Sequence, residues 1–160
     1  MTMTYPEKME IIKGHQDSAT VQTVPLAKDL GIRVWHVPNW PDNLSGKIMQ
    51  SEKMGGSSGY AIYVNGSHHV NRRRFTTAHE IAHFVLHEDY IGDGITDDAL
   101  YRSRLSNRRE WDANKLAADV LIPWALLNPM IRSGVTSVGD LASRFQVSES
   151  AISVRLGTPT

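Results

Sequence analysis

Residues 74 to 87 of the 160-residue chain read Arg74-Phe75-Thr76-Thr77-Ala78-His79-Glu80-Ile81-Ala82-His83-Phe84-Val85-Leu86-His87. Apolar side chains recur along this stretch at the spacing of an α-helix, with Ala78 and Ala82 on one face and Ile81 on the opposite face. A helix that is apolar on both sides belongs in the centre of a fold. The pattern therefore predicts a long central helix over residues 72–87, with Asn71 as its N-cap.

Two histidines four residues apart give this helix its chemistry. His79 and His83 project from the same face, so both imidazoles can reach one metal ion. Glu80 points nearer the open side of that ion, where it can take a proton from a water whose pKa zinc lowers from about 15.7 towards 7. The sequence thus predicts a zinc site with Glu80 as general base. The alternative is a buried helix whose histidines bond to the backbone while Glu80 closes a capping box from Thr77.

A catalytic zinc normally takes three protein ligands and leaves the fourth position to water. His87 cannot be the third ligand, because it lies about 12 Å beyond His79 along the helix axis. We expect His87 to line the cleft or to hydrogen-bond to a ligand, or else to have a structural role.

A second helix is predicted over residues 108–121, and it offers the third ligand. Glu110 heads an apolar stripe on this helix, and small alanines in the stripe would allow close approach to the first helix. Asn114, one turn further on, could orient a ligand histidine. Asp112 is the competing carboxylate, pointing some 200° away.

The remaining pattern predicts an α+β protein. Three β-rich segments joined by short turns indicate a small three-stranded antiparallel sheet: Ile32–Val37, Ser45–Gln50 and Tyr60–Val64. A short helix precedes them at residues 21–30, and residues 92–98 are expected to form a loop. We expect a flexible tail at residues 1–18, the main domain at 19–132 and a helical appendage at 133–160.

The appendage resembles a helix-turn-helix, in which the second helix would enter a major groove of DNA. That helix lacks lysine in its first turn, so phosphate attraction would be weak, and we favour packing or partner docking over DNA binding. The Arg72-Arg73-Arg74 run opposes the helix dipole, and Arg74 is expected to pair with a buried carboxylate.

Composition narrows the class of protein. Lysine plus arginine equals aspartate plus glutamate at 17 each, and there is no cysteine, so the chain has neither a basic excess for nucleic acid nor thiolate metal ligands. No apolar run suits a signal peptide or a membrane span, which leads us to expect a cytoplasmic protein without a membrane partner.

The first stretch, together with Glu110-Trp111-Asp112-Ala113-Asn114-Lys115-Leu116-Ala117-Ala118-Asp119-Val120-Leu121-Ile122-Pro123, resembles the ImmA/IrrE family of bacterial and phage metallopeptidases. The resemblance implies a minimal zincin fold in which His79, His83 and Glu110 bind zinc and Glu80 is the base. It also implies a substrate class, namely helix-turn-helix repressors that are cleaved during stress or in mobile elements, sometimes in a toxin–antitoxin arrangement.

These inferences predict a zinc endopeptidase that holds an extended substrate beside the third strand, through Tyr60, Ile62 and Val64. Tyr63, His87 and Tyr101 are the candidates for stabilising the oxyanion. The alternative function is a non-proteolytic regulator that binds a repressor or DNA and carries a structural or vestigial metal. Manganese would also suit two histidines and a carboxylate, and the oligomeric state is left open.

Overall fold

The computed structural model describes residues 2–98 and 103–157, and it has the α+β composition that the sequence predicts. In chain order its elements are α1 Tyr5–Gly14, α2 Thr23–Asp29, β1 Ile32–Val37, β2 Leu44–Gln50, β3 Tyr60–Asn65, α3 Val70–Leu86, α4 Glu88–Ile91, β4 Ile95–Asp98, α5 Asn107–Leu121, α6 Trp124–Arg132, α7 Val138–Phe145 and α8 Glu149–Leu156.

The sheet has four strands and is mixed, so the prediction of a three-stranded antiparallel sheet is wrong. Its order is β1-β3-β2-β4, with β1 parallel to β3 and β2 antiparallel to both of its neighbours. Burial explains the order: five of the six β3 residues are buried, whereas β1 is buried only at Ile32. A strand that is apolar on both faces takes a central position, and β3 therefore inserts between β1 and β2.

The fourth strand, β4, occupies residues that the sequence predicted to be loop. It pairs with β2 through Ile48 and Ile95, and a register shift between Leu44 and Gly46 interrupts the ladder. Along β4 the buried residues Ile95 and Asp97 alternate with more exposed ones. Four residues that include two aspartates carry little β propensity, so this pattern was too weak to predict a strand.

The central helix α3 lies against the sheet, and a glycine allows the close approach. A Cβ atom on Gly46 would lie 2.5 Å from Thr76 Cγ2 and 3.2 Å from Glu80 Oε2. On its other side α3 packs against α5, where Ala113 and Ala117 are fully buried. The helix begins at Val70, two residues earlier than predicted, since His69 rather than Asn71 caps it.

The flexible tail expected at residues 1–18 is wrong for most of that segment, because it contains α1. Thr4 and Glu7 form a reciprocal capping box at its start, and Ile12 is buried in the core. Lys8 is also buried, and its Nζ donates to the Phe84 carbonyl at 2.9 Å and pairs with Glu88. The segment is polar in sequence because much of its anchoring is electrostatic, which apolar periodicity does not reveal.

The C-terminal residues form the two short helices predicted there, α7 and α8. Leu141, Phe145 and Ile152 are fully buried between them and the rest of the molecule. Arg155 fixes α8 to the main body by donating to the Ile122 carbonyl at 2.9 Å and by pairing with Asp119. Within residues 2–98 and 103–157, no helix combines the length and hydrophobicity needed to cross a membrane.

Candidate metal centre

Four buried side chains from three elements meet beside α3. His79 and His83 come from α3, Asp97 from β4 and Glu110 from α5, and one donor atom from each lies within 4.8 Å of the others. The two histidine Nε2 atoms are 3.1 Å apart, and Glu110 Oε1 lies 3.1 Å from His79 Nε2. Asp97 Oδ2 lies 3.5 Å from His79 Nε2 and 3.6 Å from His83 Nε2.

These separations fit a metal ion. Ligands at about 2.0–2.2 Å from a tetrahedral zinc are about 3.4 Å from one another, and the four N–N and N–O distances above run from 3.1 to 3.6 Å. Imidazole nitrogens and carboxylate oxygens are also suitable donors for zinc or manganese. The group as a whole can therefore hold a divalent cation.

The electrostatics of the group favour a positive charge at its centre. Burial opposes protonation of His83, but the Asp97 and Glu110 carboxylates outweigh it and raise the His83 pKa to about 9. Burial likewise opposes ionisation of Asp97 and Glu110, yet hydrogen bonds from their neighbours, the histidines among them, lower the pKa of both. A metal ion would take the place of the proton on His83, since imidazole binds metals in its neutral form.

Glu80 lies beside this group and is fully buried. Its burial, followed by the negative charge of Asp97 and then of Glu110, raises its pKa well above the ordinary value. The alternative of a capping box between Thr77 and Glu80 is wrong. The Thr77 hydroxyl donates to the Arg73 carbonyl at 2.9 Å, and the Glu80 carboxylate lies over Gly46 of β2. Neither residue is at the start of α3, where a capping box would form.

His87 contacts the group from behind. Its Nδ1 lies 3.0 Å from His83 Nδ1, so His83 can keep its Nε2 for a metal while its Nδ1 hydrogen-bonds to His87. Burial, reinforced by the charges of His83 and Arg109, lowers the His87 pKa to about 4. A neutral His87 can accept that hydrogen bond and so orient the ring of His83.

Of the two candidate carboxylates on α5, Glu110 belongs to the group of four side chains that can hold a metal ion and Asp112 does not. Ser103 Oγ donates to Glu110 Oε2 at 2.7 Å and holds the carboxylate towards the histidines. Asp112 pairs instead with Arg108 at 3.3 Å on the outer side of α5.

Arg74 and Asn114 were expected to support the site, and neither makes the predicted contact. Arg74 donates to the backbone carbonyls of Val21, Phe145 and Gln146, so its predicted pairing with a buried carboxylate is wrong. It points from the start of α3 towards α2 and α7, where free carbonyls need donors. Asn114 Oδ1 is buried without a hydrogen-bond partner among the described residues, so it does not orient a ligand histidine.

The predicted substrate strand has no free edge. Ile62 and Val64 belong to β3, whose backbone is paired with β1 on one side and β2 on the other. Tyr60 instead turns its hydroxyl towards Glu88. The prediction that β3 holds an extended substrate by strand addition is therefore wrong, because both rows of hydrogen-bonding groups are already used. Tyr101, one oxyanion candidate, lies outside the described residues.

Asp97 is the member of the group that sequence reasoning missed. The only sequence signal was the short alternation of Ile95 and Asp97, which places both side chains on the inner face of the sheet edge. In the ladder Asp97 pairs with Gly46, the same residue that lies under Glu80.

The fold and this buried group define an α+β domain with a site for a metal ion. The chain belongs to the peptidase family described as the IrrE N-terminal-like domain, whose model matches residues 27–157. This confirms the resemblance to ImmA/IrrE proteins drawn from the two helical stretches.

Two known proteins resemble this chain. Both are longer than it is, and one of them shares little sequence identity with it. It is 36% identical over 95 residues to the radiation response metalloprotease IrrE of Deinococcus radiodurans, covering 56% of this chain but only 28% of that protein. A solved structure described as a Mycobacterium tuberculosis transcriptional regulator matches with a TM-score of 0.62 and 18% identity, covering 96% of this chain and 46% of the other. At that identity the second match supports the fold alone.

Proposed function

We propose that this protein is a zinc-dependent endopeptidase that cleaves a regulatory protein. The observation that carries the proposal is the convergence of His79, His83 and Glu110, with the buried Glu80 beside them. Membership of a peptidase family supports the same reading. Manganese is the alternative ion, because the donor set suits both metals.

In this proposal a side chain of the protein carries out both proton transfers. A bound divalent ion would polarise the scissile carbonyl and acidify a water molecule. Glu80 then accepts the proton of that water and passes it to the nitrogen of the leaving amine. Its buried position and its acidic neighbours raise its pKa, which suits a carboxyl group that must hold a proton between the two transfers.

Asp97 imposes a condition on this mechanism. Two histidines and two carboxylates would fill a tetrahedral coordination shell and leave no position for water. For an ion held by His79, His83 and Glu110 to supply an activated water, the Asp97 carboxylate would have to turn away from that ion. Because β4 is short and lies at the edge of the sheet, a movement there disturbs fewer contacts than one in α3 or α5.

For the substrate we propose a cytoplasmic helix-turn-helix repressor, whose cleavage would relieve repression in stress, mobile-element or toxin–antitoxin-like regulation. The support is the resemblance to ImmA/IrrE proteins and the similarity to the radiation response metalloprotease IrrE of Deinococcus radiodurans. The balanced charge of the chain, 17 basic and 17 acidic residues, supports a protein rather than DNA as the primary partner.

The second candidate is a non-proteolytic regulator with a structural metal. A closed shell of four protein ligands is typical of structural zinc, and the position of Asp97 in the group favours that reading. A structural metal site needs no general base. The effect of removing the Glu80 carboxylate therefore distinguishes the two candidate functions.

The decisive test is Glu80→Gln in the metal-loaded protein, incubated with candidate helix-turn-helix repressors from the same genome. We expect one metal ion per chain to remain, because Glu80 is not a proposed ligand, and cleavage to fall by about 100- to 10,000-fold. Glu10→Gln on the exposed side of α1 is the matched control. Cleavage by Glu80→Gln at the parent rate would reject the peptidase mechanism.

A further inference from the structure

A groove next to the metal centre has no role in the proposed chemistry. It runs between α3, α5 and α8 and has a volume of about 860 Å³. Phe75 of α3, Trp111 and Ala118 of α5, and Ala151 and Val154 of α8 form its apolar walls.

Two large apolar side chains of this groove are open to solvent. Trp111 is 54% exposed and Val154 is 66% exposed, on two helices that face each other across the groove. Clustered apolar side chains that remain in water around a concave surface are typical of an interaction site. Tryptophan in particular is enriched among the residues that dominate binding energy in protein interfaces.

The charged residues that line the groove are all basic. Arg72, Lys115 and Arg155 line it, and none of its described lining residues is an aspartate or glutamate. Arg155 is paired with Asp119, but no described residue forms an ion pair with Arg72 or Lys115. Lys115 Nζ lies 5.5 Å from the centre of the Trp111 ring, so apolar surface and positive charge are presented together.

The groove also adjoins the metal centre. The ring of Phe75, which forms part of its wall, stacks on the ring of His79 with 6.4 Å between centroids and 28° between planes. A segment bound in the groove would therefore lie one side chain away from a proposed metal ligand.

We propose that the α3–α5–α8 groove docks an acidic, apolar segment of the protein substrate, an inference that rests on the proposed function. The positive rim requires carboxylates from the bound segment, and the apolar walls require aliphatic or aromatic side chains. Nucleic acid fits less well, because its phosphates would have to lie against walls that are mostly apolar. Binding here would hold the substrate beside the metal centre without contacting Glu80.

Fluorescence anisotropy with two labelled peptides tests the docking directly. One is an amphipathic peptide of about 18 residues built from leucine, phenylalanine, alanine and glutamate, and the other has lysine at every glutamate position. The metal-loaded protein is expected to bind the acidic peptide at least tenfold more tightly. Trp111→Ala should weaken that binding at least tenfold, and Lys115→Glu should remove the preference for acid.

Matched controls are available on distant helices. Tyr5→Ala removes an exposed aromatic ring from α1, and Lys28→Glu reverses an exposed charge on α2; neither should change peptide binding. Circular dichroism and metal content verify that each variant is folded. Equal binding of both peptides, or unchanged binding by Trp111→Ala, would overturn the proposal. Tighter binding of a 20-base-pair DNA duplex that is lost in Lys115→Glu would also overturn it.

A failure here differs from a failure of the proposed function, because peptide binding requires no cleavage. Where the repressor is cleaved, an excess of the acidic peptide should raise the KM for the repressor, and the lysine peptide should not. Acidic-peptide binding without any such competition would assign the groove to a partner other than the substrate and overturn that part of the proposal.

Discussion

Asp97 Oδ2 lies 3.5 Å from His79 Nε2, and both side chains are completely buried. Asp97→Ala should therefore weaken metal binding at least about tenfold, since it removes one of four converging donors. In the cobalt-substituted protein, the visible spectrum should change as a water takes the vacated position. Thr96→Ala, on the exposed side of the same strand, should change neither property. Metal affinity equal to that of the parent would show that Asp97 is not a ligand.

The same substitution separates the two candidate functions. A peptidase in which Asp97 occupies the water position should keep or increase its rate of cleavage when saturated with metal. A structural site should instead lose thermal stability and gain no activity.

Metal binding should stabilise the fold, because the buried group is assembled only in the native state. At a free zinc concentration of 100 Kd, linkage predicts a gain of about 2.7 kcal/mol in the free energy of unfolding. A thermal melt with and without zinc measures it, and a chelator should reverse the gain. His83→Ala should remove the response, while His36→Ala on the exposed side of β1 should preserve it.

Gly46 should tolerate no larger residue. In Gly46→Ala the new methyl group would lie 2.5 Å from Thr76 Cγ2, so α3 and β2 would have to separate. We expect a loss of about 1–3 kcal/mol in the free energy of unfolding, together with weaker metal binding as Glu80 and His79 shift. Urea denaturation measures the first effect. Gly14→Ala, which meets nothing within 4 Å, is the control and should not be destabilising.

The buried hydroxyl of Tyr60 predicts that the stability of the fold depends on pH in the alkaline range. Burial, and then the negative charge of Glu88, raise the Tyr60 pKa to about 12 from 10. Above pH 10 the unfolded chain releases this proton while the folded protein retains it, so the free energy of unfolding should fall as pH rises from 10 towards 12. Tyr60→Phe should show a shallower fall over pH 10–12 in urea titrations. An identical slope in the two proteins would contradict the prediction.

Much of the site could be predicted from sequence because helices carry local information. The spacing of His79, Glu80 and His83 fixes their shared position on α3, and the stripe headed by Glu110 identifies the helix that faces them. Both patterns lie within single helices whose periodicity repeats over several turns.

The sheet topology and the role of Asp97 could not be predicted, because both depend on pairing between strands that are far apart in the sequence. Nothing local in β1 specifies a parallel partner 28 residues away, as in the pairing of Ile32 with Tyr60. Asp97 enters the metal group only because a four-residue strand pairs with β2. A pattern of that length cannot be distinguished from a loop.

The contact of Lys8 with Glu88 spans 80 residues, which has a consequence for synthesis on the ribosome. At about 5–20 residues per second, α1 emerges roughly 4–16 s before its partner has been translated. During that interval Lys8 lacks both the Phe84 carbonyl and the Glu88 carboxylate that hold it in the folded protein. The buried contacts of Lys8 therefore form late, although α1 is translated well before α3.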